Sequence, residues 1–208
     1  MRQMRNDIKS VINPDNTGVY LYGDEFAIYS SDRGGNDILT AINSGFNSSA
    51  FLYGDGFYMY DSTNGGNDIL TATNSAESTS SNLFGEAWYM SGNATGGNDI
   101  LTSINSASVC SSHLYGDAFD IAGNAKGGND ILTTINSGDF SWSEVYGDAN
   151  VMHDNTKGGN DILAVVNSGY HTRCEVSGDA SAMSDNSVGG NDILTIESPS
   201  DSSGSYVT

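Results

Sequence analysis

The sequence predicts an all-β fold, a parallel β-solenoid of about six to seven coils of 31 residues each. A hexapeptide, Gly-Gly-Asn-Asp-Ile-Leu, recurs without insertion or deletion and begins at Gly34, Gly65, Gly96, Gly127, Gly158 and Gly189. A second motif, close to Leu-Tyr-Gly-Asp, keeps the same interval, with glycines Gly23, Gly54, Gly85, Gly116, Gly147 and Gly178. A constant period is typical of stacked coils, because each coil must keep register with its neighbour. The apolar spacing of helices is absent.

Each repeat is predicted to contain three short strands separated by turns. In the first full repeat the first strand covers residues 37–43, the second ends at Leu52 and Tyr53, and the third lies near residues 57–60. Glycine, asparagine, aspartate and serine between these segments supply the turn residues. The block 46–51 varies in identity between repeats, so we expect it to be a solvent-facing loop or arm.

Equivalent positions in successive coils are predicted to stack into columns that enclose an apolar interior. These columns are Ile38, Ile69, Ile100, Ile131, Ile162 and Ile193; Leu39, Leu70, Leu101, Leu132, Leu163 and Leu194; Leu21, Leu52, Leu83, Leu114, Val145 and Val176; and Ile28, Met59, Met90, Ile121, Met152 and Met183. The asparagines Asn43, Asn74, Asn105, Asn136 and Asn167 are predicted to form a structural ladder. Cys110 and Cys174 would lie about 10 Å apart, too far for a disulfide.

Three segments are expected along the chain. Residues 1–20 are a degenerate capping copy, because residues 6–13 resemble residues 36–43 with Lys9 at the leucine position. A polar terminal repeat would cover the open edge of a solenoid. Residues 21–196 form the repeat solenoid, and residues 197–208 form a Ser-rich, loosely ordered C-terminal tail.

The charge balance narrows the function classes. The chain has 26 Asp and Glu against 7 Lys and Arg, for a net charge of −19. This excess disfavours nucleic acids and anionic membrane surfaces as partners. No apolar run is long enough for a membrane span, and the start of the chain lacks the apolar stretch of a secretory signal peptide.

Much of the acidic charge falls into two columns. The predicted metal ligands are Asp37, Asp68, Asp99, Asp130, Asp161 and Asp192 in one column and Asp24, Asp55, Glu86, Asp117, Asp148 and Asp179 in the other, with Asp7 at the start of the first. Two carboxylates about 5 Å apart repel by roughly 3 kcal/mol at an effective dielectric near 20. No periodic Lys or Arg offsets this repulsion, so bound cations are predicted. Carboxylates and turn carbonyls favour several Ca²⁺ ions per chain, since no His or Cys recurs to favour Zn²⁺.

The hexapeptide also resembles the second half of the nonapeptide of repeats-in-toxin, or haemolysin-type, calcium-binding proteins. In the copy at 158–163, Gly159, Asp161 and Leu163 match its glycine, aspartate and apolar positions. The chain departs from the family at Thr156 and Lys157, where glycines are expected, and its period is not a multiple of nine. The family's 18-residue turn therefore cannot be carried over, and a wider, three-sided coil is expected.

The resemblance implies a function as well. The hexapeptide aspartates would ligate calcium together with glycine-turn carbonyls, and the chain would fold on binding calcium outside the cell. Secretion would follow a signal-peptide-independent, type I route.

We expect a non-enzymatic structural, matrix or surface-assembly role, with no catalytic residue. The alternative is a carbohydrate-binding module that uses the variable arms or an exposed aromatic row, Tyr22, Tyr53, Phe84, Tyr115 and Tyr146. An enzyme acting on polysaccharides is disfavoured, because such sites need basic residues beside calcium and the C-terminal half offers only Lys126, Lys157 and Arg173. Binding to glycans, binding to other matrix proteins, and self-association remain open. Self-association could be end to end or lateral.

Overall fold

The computed structural model describes residues 1–199 and 204–207 and confirms a parallel β-solenoid. The described residues form twenty strands and no helix. In chain order the strands are β1 (Ile8–Asn13), β2 (Gly18–Tyr22), β3 (Ala27–Ile28), β4 (Ile38–Asn43), β5 (Ser49–Tyr53), β6 (Tyr58–Met59), β7 (Ile69–Asn74), β8 (Ser80–Phe84), β9 (Ala87–Met90), β10 (Ile100–Asn105), β11 (Ser111–Tyr115), β12 (Ala118–Ile121), β13 (Ile131–Asn136), β14 (Trp142–Tyr146), β15 (Ala149–Met152), β16 (Ile162–Asn167), β17 (Arg173–Ser177), β18 (Ala180–Met183), β19 (Ile193–Glu197) and β20 (Gly204–Val207).

Each of the first six coils gives one strand to each of three sheets, and the described part of the last coil gives strands to the first two. The first sheet has the order β1-β4-β7-β10-β13-β16-β19, and the second has the order β2-β5-β8-β11-β14-β17-β20. The third has the order β18-β15-β12-β9-β6-β3. Pairing is in register, as when Ile38 lies beside Ile69. The three strands predicted for each repeat are therefore confirmed, and the constant period fixes their register.

The N-terminal copy is the first coil of the solenoid. Ile8 pairs with Ile38, 30 residues away, whereas Gly18 pairs with Ser49, 31 residues away. The one-residue difference therefore falls between Asn13 and Gly18.

The C-terminal segment 197–208 is not wholly a tail. Glu197 ends β19, and β20 pairs with β17, whose edge would otherwise leave its backbone groups unpaired. The prediction of a loose tail was wrong for these residues. Residues 200–203 and 208 of the same segment lie outside the described residues.

The leucine columns form the core, but the isoleucine column does not. Leu39 is fully buried, whereas Ile38, its neighbour in the same strand, is 39% exposed. Successive residues of a strand point to opposite faces, so one of the two must point outward. The expectation that the Ile38 column lines the interior was wrong, and the column lies on the outer face of the first sheet.

The block 46–51 was also assigned incorrectly as a loop or arm. Its second half belongs to β5, and Ala50 is buried against Leu52 in the main core. The equivalent residues are small in every following coil: Ser81, Ser112, Ser143 and Cys174. The core at this position thus requires a small side chain but not one particular residue. Cys110 and Cys174 are buried and unpaired.

The asparagine ladder is confirmed. The side-chain amide of each asparagine donates a hydrogen bond to the side-chain carbonyl of the next coil, at 2.7 Å from Asn43 to Asn74 and 2.6 Å from Asn74 to Asn105. The ladder begins at Asn13 and continues to Asn167. These buried amides therefore satisfy one another and tie consecutive coils together.

Candidate metal centre

The two carboxylate columns, predicted separately, meet inside the solenoid. Asp37 immediately precedes β4, and Asp55 follows the turn after β5. Single carboxylate oxygens of Asp24, Asp37 and Asp55 all lie within 4.8 Å of one another. The same holds for Asp55, Asp68 and Glu86 one coil further on. Asp37 and Asp68 therefore each lie beside acids of two successive coils of the Tyr-Gly-Asp column.

The hexapeptide aspartates each use one oxygen to hold the backbone. Asp68 Oδ1 accepts the backbone N–H of Asp37 at 2.6 Å, and Asp99 Oδ1 accepts that of Asp68 at 2.7 Å. This pattern continues to Asp192. Within the described residues, the other oxygen, Oδ2, is buried without a hydrogen-bond partner in Asp37, Asp68, Asp99, Asp130 and Asp161.

The Tyr-Gly-Asp column is held in a similar way. Its carboxylates accept the backbone N–H of the second hexapeptide glycine, as in Asp148 Oδ1 with Gly159 at 2.7 Å and Asp24 Oδ2 with Gly35 at 2.8 Å. Three further oxygens in this column are buried and have no partner among the described residues: Asp55 Oδ1, Glu86 Oε2 and Asp148 Oδ2. Most acids of both columns are thus positioned by one oxygen and leave the other without a partner, whereas both oxygens of Asp117 accept the N–H of Gly128.

Burial and mutual repulsion raise the pKa of most of these carboxyl groups and so favour their protonated form when no cation is bound. Nine of the twelve predicted ligands are buried, while Asp24, Asp179 and Asp192 are half-buried. Burial, followed by the charge of Asp55, raises the pKa of Asp68 to about 9. Burial likewise raises the pKa of Asp161 to about 7 and that of Asp37 to about 6. In the described part of the chain, none of the twelve forms an ion pair.

Glycine is required beside the two carboxylate columns because carboxylate and carbonyl oxygens lie where a side chain would have to be. A side chain at Gly54 would collide with the Asp68 carboxylate and with the Gly85 carbonyl oxygen. A side chain at Gly65 would collide with the Glu86 carboxylate. The glycines that mark the repeat therefore create the space in which carboxylate and carbonyl oxygens come together.

Lys9 closes the N-terminal end of the columns. Its Nζ donates to the carbonyl oxygens of Tyr22 and Gly23, both at 2.6 Å, and lies 3.2 Å from Asp7 Oδ2. The later coils have leucine at this position. An ammonium group thus lies beside the first Tyr-Gly-Asp turn of the second carboxylate column.

The donor set fits a hard divalent cation. It consists of carboxylate oxygens, with backbone carbonyls beside them, and contains no nitrogen or sulfur ligand. Oxygen-only sites of this kind suit Ca²⁺ and do not favour Zn²⁺. Buried carboxylate oxygens without a donor are stabilised either by taking up a proton or by binding a cation.

The aromatic row proposed as a sugar platform points inward. Tyr53 is 1% exposed, and it stacks on Phe84 at 4.8 Å between ring centroids. The row continues through Tyr115 to Tyr146, with Phe57 and its equivalents packed against it. Buried rings cannot stack on a glycan, so this row is part of the packing.

The histidines lie apart from the columns. His153 Nε2 lies 3.2 Å from Asp120 Oδ1 and its Nδ1 3.3 Å from Asp154 Oδ2, with Asp185 near enough to complete a small cluster. The sequence pattern did not predict this group, although Asp154 and Asp185 share a repeat position. The two aspartates are exposed, where acidic groups commonly occur without a metal.

Comparison of the chain with protein-family models, with curated proteins and with solved structures finds no match. The described residues also contain no apolar helix of the length needed to cross a bilayer. Fold and site together define a parallel β-solenoid with a buried double column of carboxylates.

Proposed function

We propose that the chain is a calcium-binding β-solenoid that folds on binding several Ca²⁺ ions and serves an extracellular structural, matrix or surface-assembly role. The observation that carries this proposal is the set of eight buried carboxylate oxygens in the two columns that have no hydrogen-bond partner among the described residues. Bound calcium would supply the positive charge that these oxygens lack.

The repeat suggests how the ions would be distributed. Asp37 lies between Asp24 and Asp55, and Asp68 lies between Asp55 and Glu86. Continuing this pattern with the same register gives sites centred on Asp99, Asp130 and Asp161. Each acid of the Tyr-Gly-Asp column between two sites would then be shared, so that filling one site favours filling the next.

The resemblance to haemolysin-type calcium-binding repeats agrees with this proposal through the hexapeptide Asp and Gly residues. Calcium-binding modules outside cells work at about 10⁻⁴ to 10⁻³ M calcium. A chain of this kind would stay unfolded where calcium is scarce and fold where it is plentiful, which suits export by a signal-peptide-independent, type I route. We propose a non-enzymatic role, because the columns and their glycines occupy every coil with repeated structure rather than with a unique pocket.

Replacing one column acid tests the proposal. Asp99→Asn keeps the size of the side chain and an oxygen to accept the Asp68 N–H, but removes the charge. We expect calorimetry to show one fewer calcium ion per chain. The calcium concentration at the folding midpoint should rise about tenfold, equivalent to ~1.4 kcal/mol.

Glu77→Gln is the matched control, because Glu77 is an exposed acid outside both columns. It removes the same charge and should leave the stoichiometry and midpoint unchanged. Equal calcium binding by the Asp99→Asn variant and the wild-type chain would contradict the proposed sites.

A further inference from the structure

The outer face of the first sheet presents mainly isoleucine and threonine side chains. Its outward positions form three columns, here called the isoleucine–threonine face: Ile8, Ile38, Ile69, Ile100, Ile131, Ile162 and Ile193; Ser10, Thr40, Thr71, Thr102, Thr133, Ala164 and Thr195; and Ile12, Ile42, Thr73, Ile104, Ile135, Val166 and Glu197. In the middle coils Ile69, Ile100 and Ile131 remain 41%, 42% and 43% exposed. Their recurrence across seven strands makes one continuous patch.

The charge distribution sets this face apart. The chain carries a net charge of −19, yet Glu197 at the last strand is the single charged side chain among the outward positions of the first sheet's described strands. The turn beside the face carries a ladder of exposed, neutral asparagines, in which Asn129 bonds to Asn98. Other surfaces carry acids, such as Glu144 and Glu175 on the second sheet. A second copy of the chain would therefore meet the least repulsion at this face.

The size of the face fits a dimer interface. Seven strands about 4.8 Å apart, six of them six residues long and the last five, cover about 30 Å by about 20 Å. Two such faces in contact would bury about 1,200 Å², which is the lower end of the range for specific protein interfaces. One face alone matches the largest apolar patches of ordinary monomers, which are often functional.

We infer that the isoleucine–threonine face binds a second copy of this chain, giving a two-fold symmetric dimer. In such a contact both copies present the same columns with the same spacing, so the isoleucine ridges of one copy fit the threonine grooves of the other. The inference rests on the proposed structural role, which it deepens by naming the contact surface, and it requires a folded solenoid.

Sedimentation velocity of the folded chain in millimolar calcium tests the inference. At about 50 μM chain we expect the wild-type protein to be a dimer, and the Ile100→Lys/Ile131→Lys variant to be a monomer with an unchanged far-ultraviolet circular dichroism spectrum. The control, Val109→Lys/Phe140→Lys, changes apolar residues that are 50% and 56% exposed on the turn before the second sheet, and it should remain dimeric.

Two results would overturn the dimer: a monomeric wild-type chain, or a face variant that still dimerises. If the isoleucine variant loses its β spectrum, Thr102→Lys/Thr133→Lys decides instead, because these half-exposed positions contribute less to packing. A monomer that still binds calcium refutes the face and leaves the proposed metal sites standing. A dimer that binds no calcium would support the isoleucine–threonine face and refute the proposed metal sites.

Discussion

Removing calcium at neutral pH is expected to unfold the solenoid. Each buried pair of charged carboxylates about 5 Å apart costs roughly 3 kcal/mol at an effective dielectric near 20. Domains are stable by only about 5–15 kcal/mol in total, so a few such pairs exceed what folding provides. We expect the far-ultraviolet circular dichroism spectrum to change from β to coil in excess chelator, and to return when calcium is added.

Magnesium is the control for this experiment. It is smaller than calcium, demands near-ideal octahedral geometry and gives up its water reluctantly, so it should restore much less β structure at the same concentration. A β spectrum that persists after complete removal of divalent cations would count against the role of calcium in folding.

Without calcium, the chain is expected to become more stable as the pH falls. Burial first, and neighbouring carboxylates next, raise the pKa of Asp68 from 3.8 to about 9 and that of Asp161 to about 7. A carboxyl group with a raised pKa holds its proton more tightly in the folded chain than in the unfolded chain. Its contribution to stability is therefore complete below pH 3.8 and is lost as the pH rises through the folded-state pKa.

The folded fraction of the chain in chelator, measured by far-ultraviolet circular dichroism at a series of pH values, checks this. The free energy of unfolding should decline from about pH 4 to about pH 9, that is, from the unfolded-state pKa of 3.8 to the folded-state pKa of Asp68, and most steeply below about pH 6, where Asp37 and Asp161 also contribute. Saturating calcium should remove most of this dependence, because the ion replaces the protons. A metal-free chain that gains stability from pH 6 to pH 9 would show that the buried columns do not control folding.

The fold could be predicted because each 31-residue repeat of the sequence forms one coil of the structure. An unbroken 31-residue period makes every residue stack on its equivalent, as Ile38 stacks on Ile69. This stacking was enough to predict the asparagine ladder and both acid columns. It was not enough to predict that the two acid columns face each other, because their relative position depends on how the turns at Gly54 and Gly65 close the coil.

The wrong predictions concern positions where the apolar or polar character of a residue does not show which way its side chain points or how much space it fills. Ile38 and Leu39 are equally apolar, and only the alternation with Ala41 and Asn43 shows that Leu39 points inward. In the block 46–51, the position of Ala50 holds serine or cysteine in the later coils, and these residues share a small volume with alanine rather than one identity, so the block was taken for a loop. A comparison of side-chain volumes between repeats would have revealed the strand.

Anomalous diffraction from crystals of the calcium-loaded chain shows whether the buried carboxylate columns are calcium sites. We expect a row of anomalous peaks between the columns, one near each of Asp37, Asp68, Asp99, Asp130 and Asp161, with oxygen ligands at about 2.3–2.6 Å. Crystals grown in millimolar calcium that show no peak along the columns, with the carboxyl groups hydrogen-bonded to one another instead, would contradict this expectation.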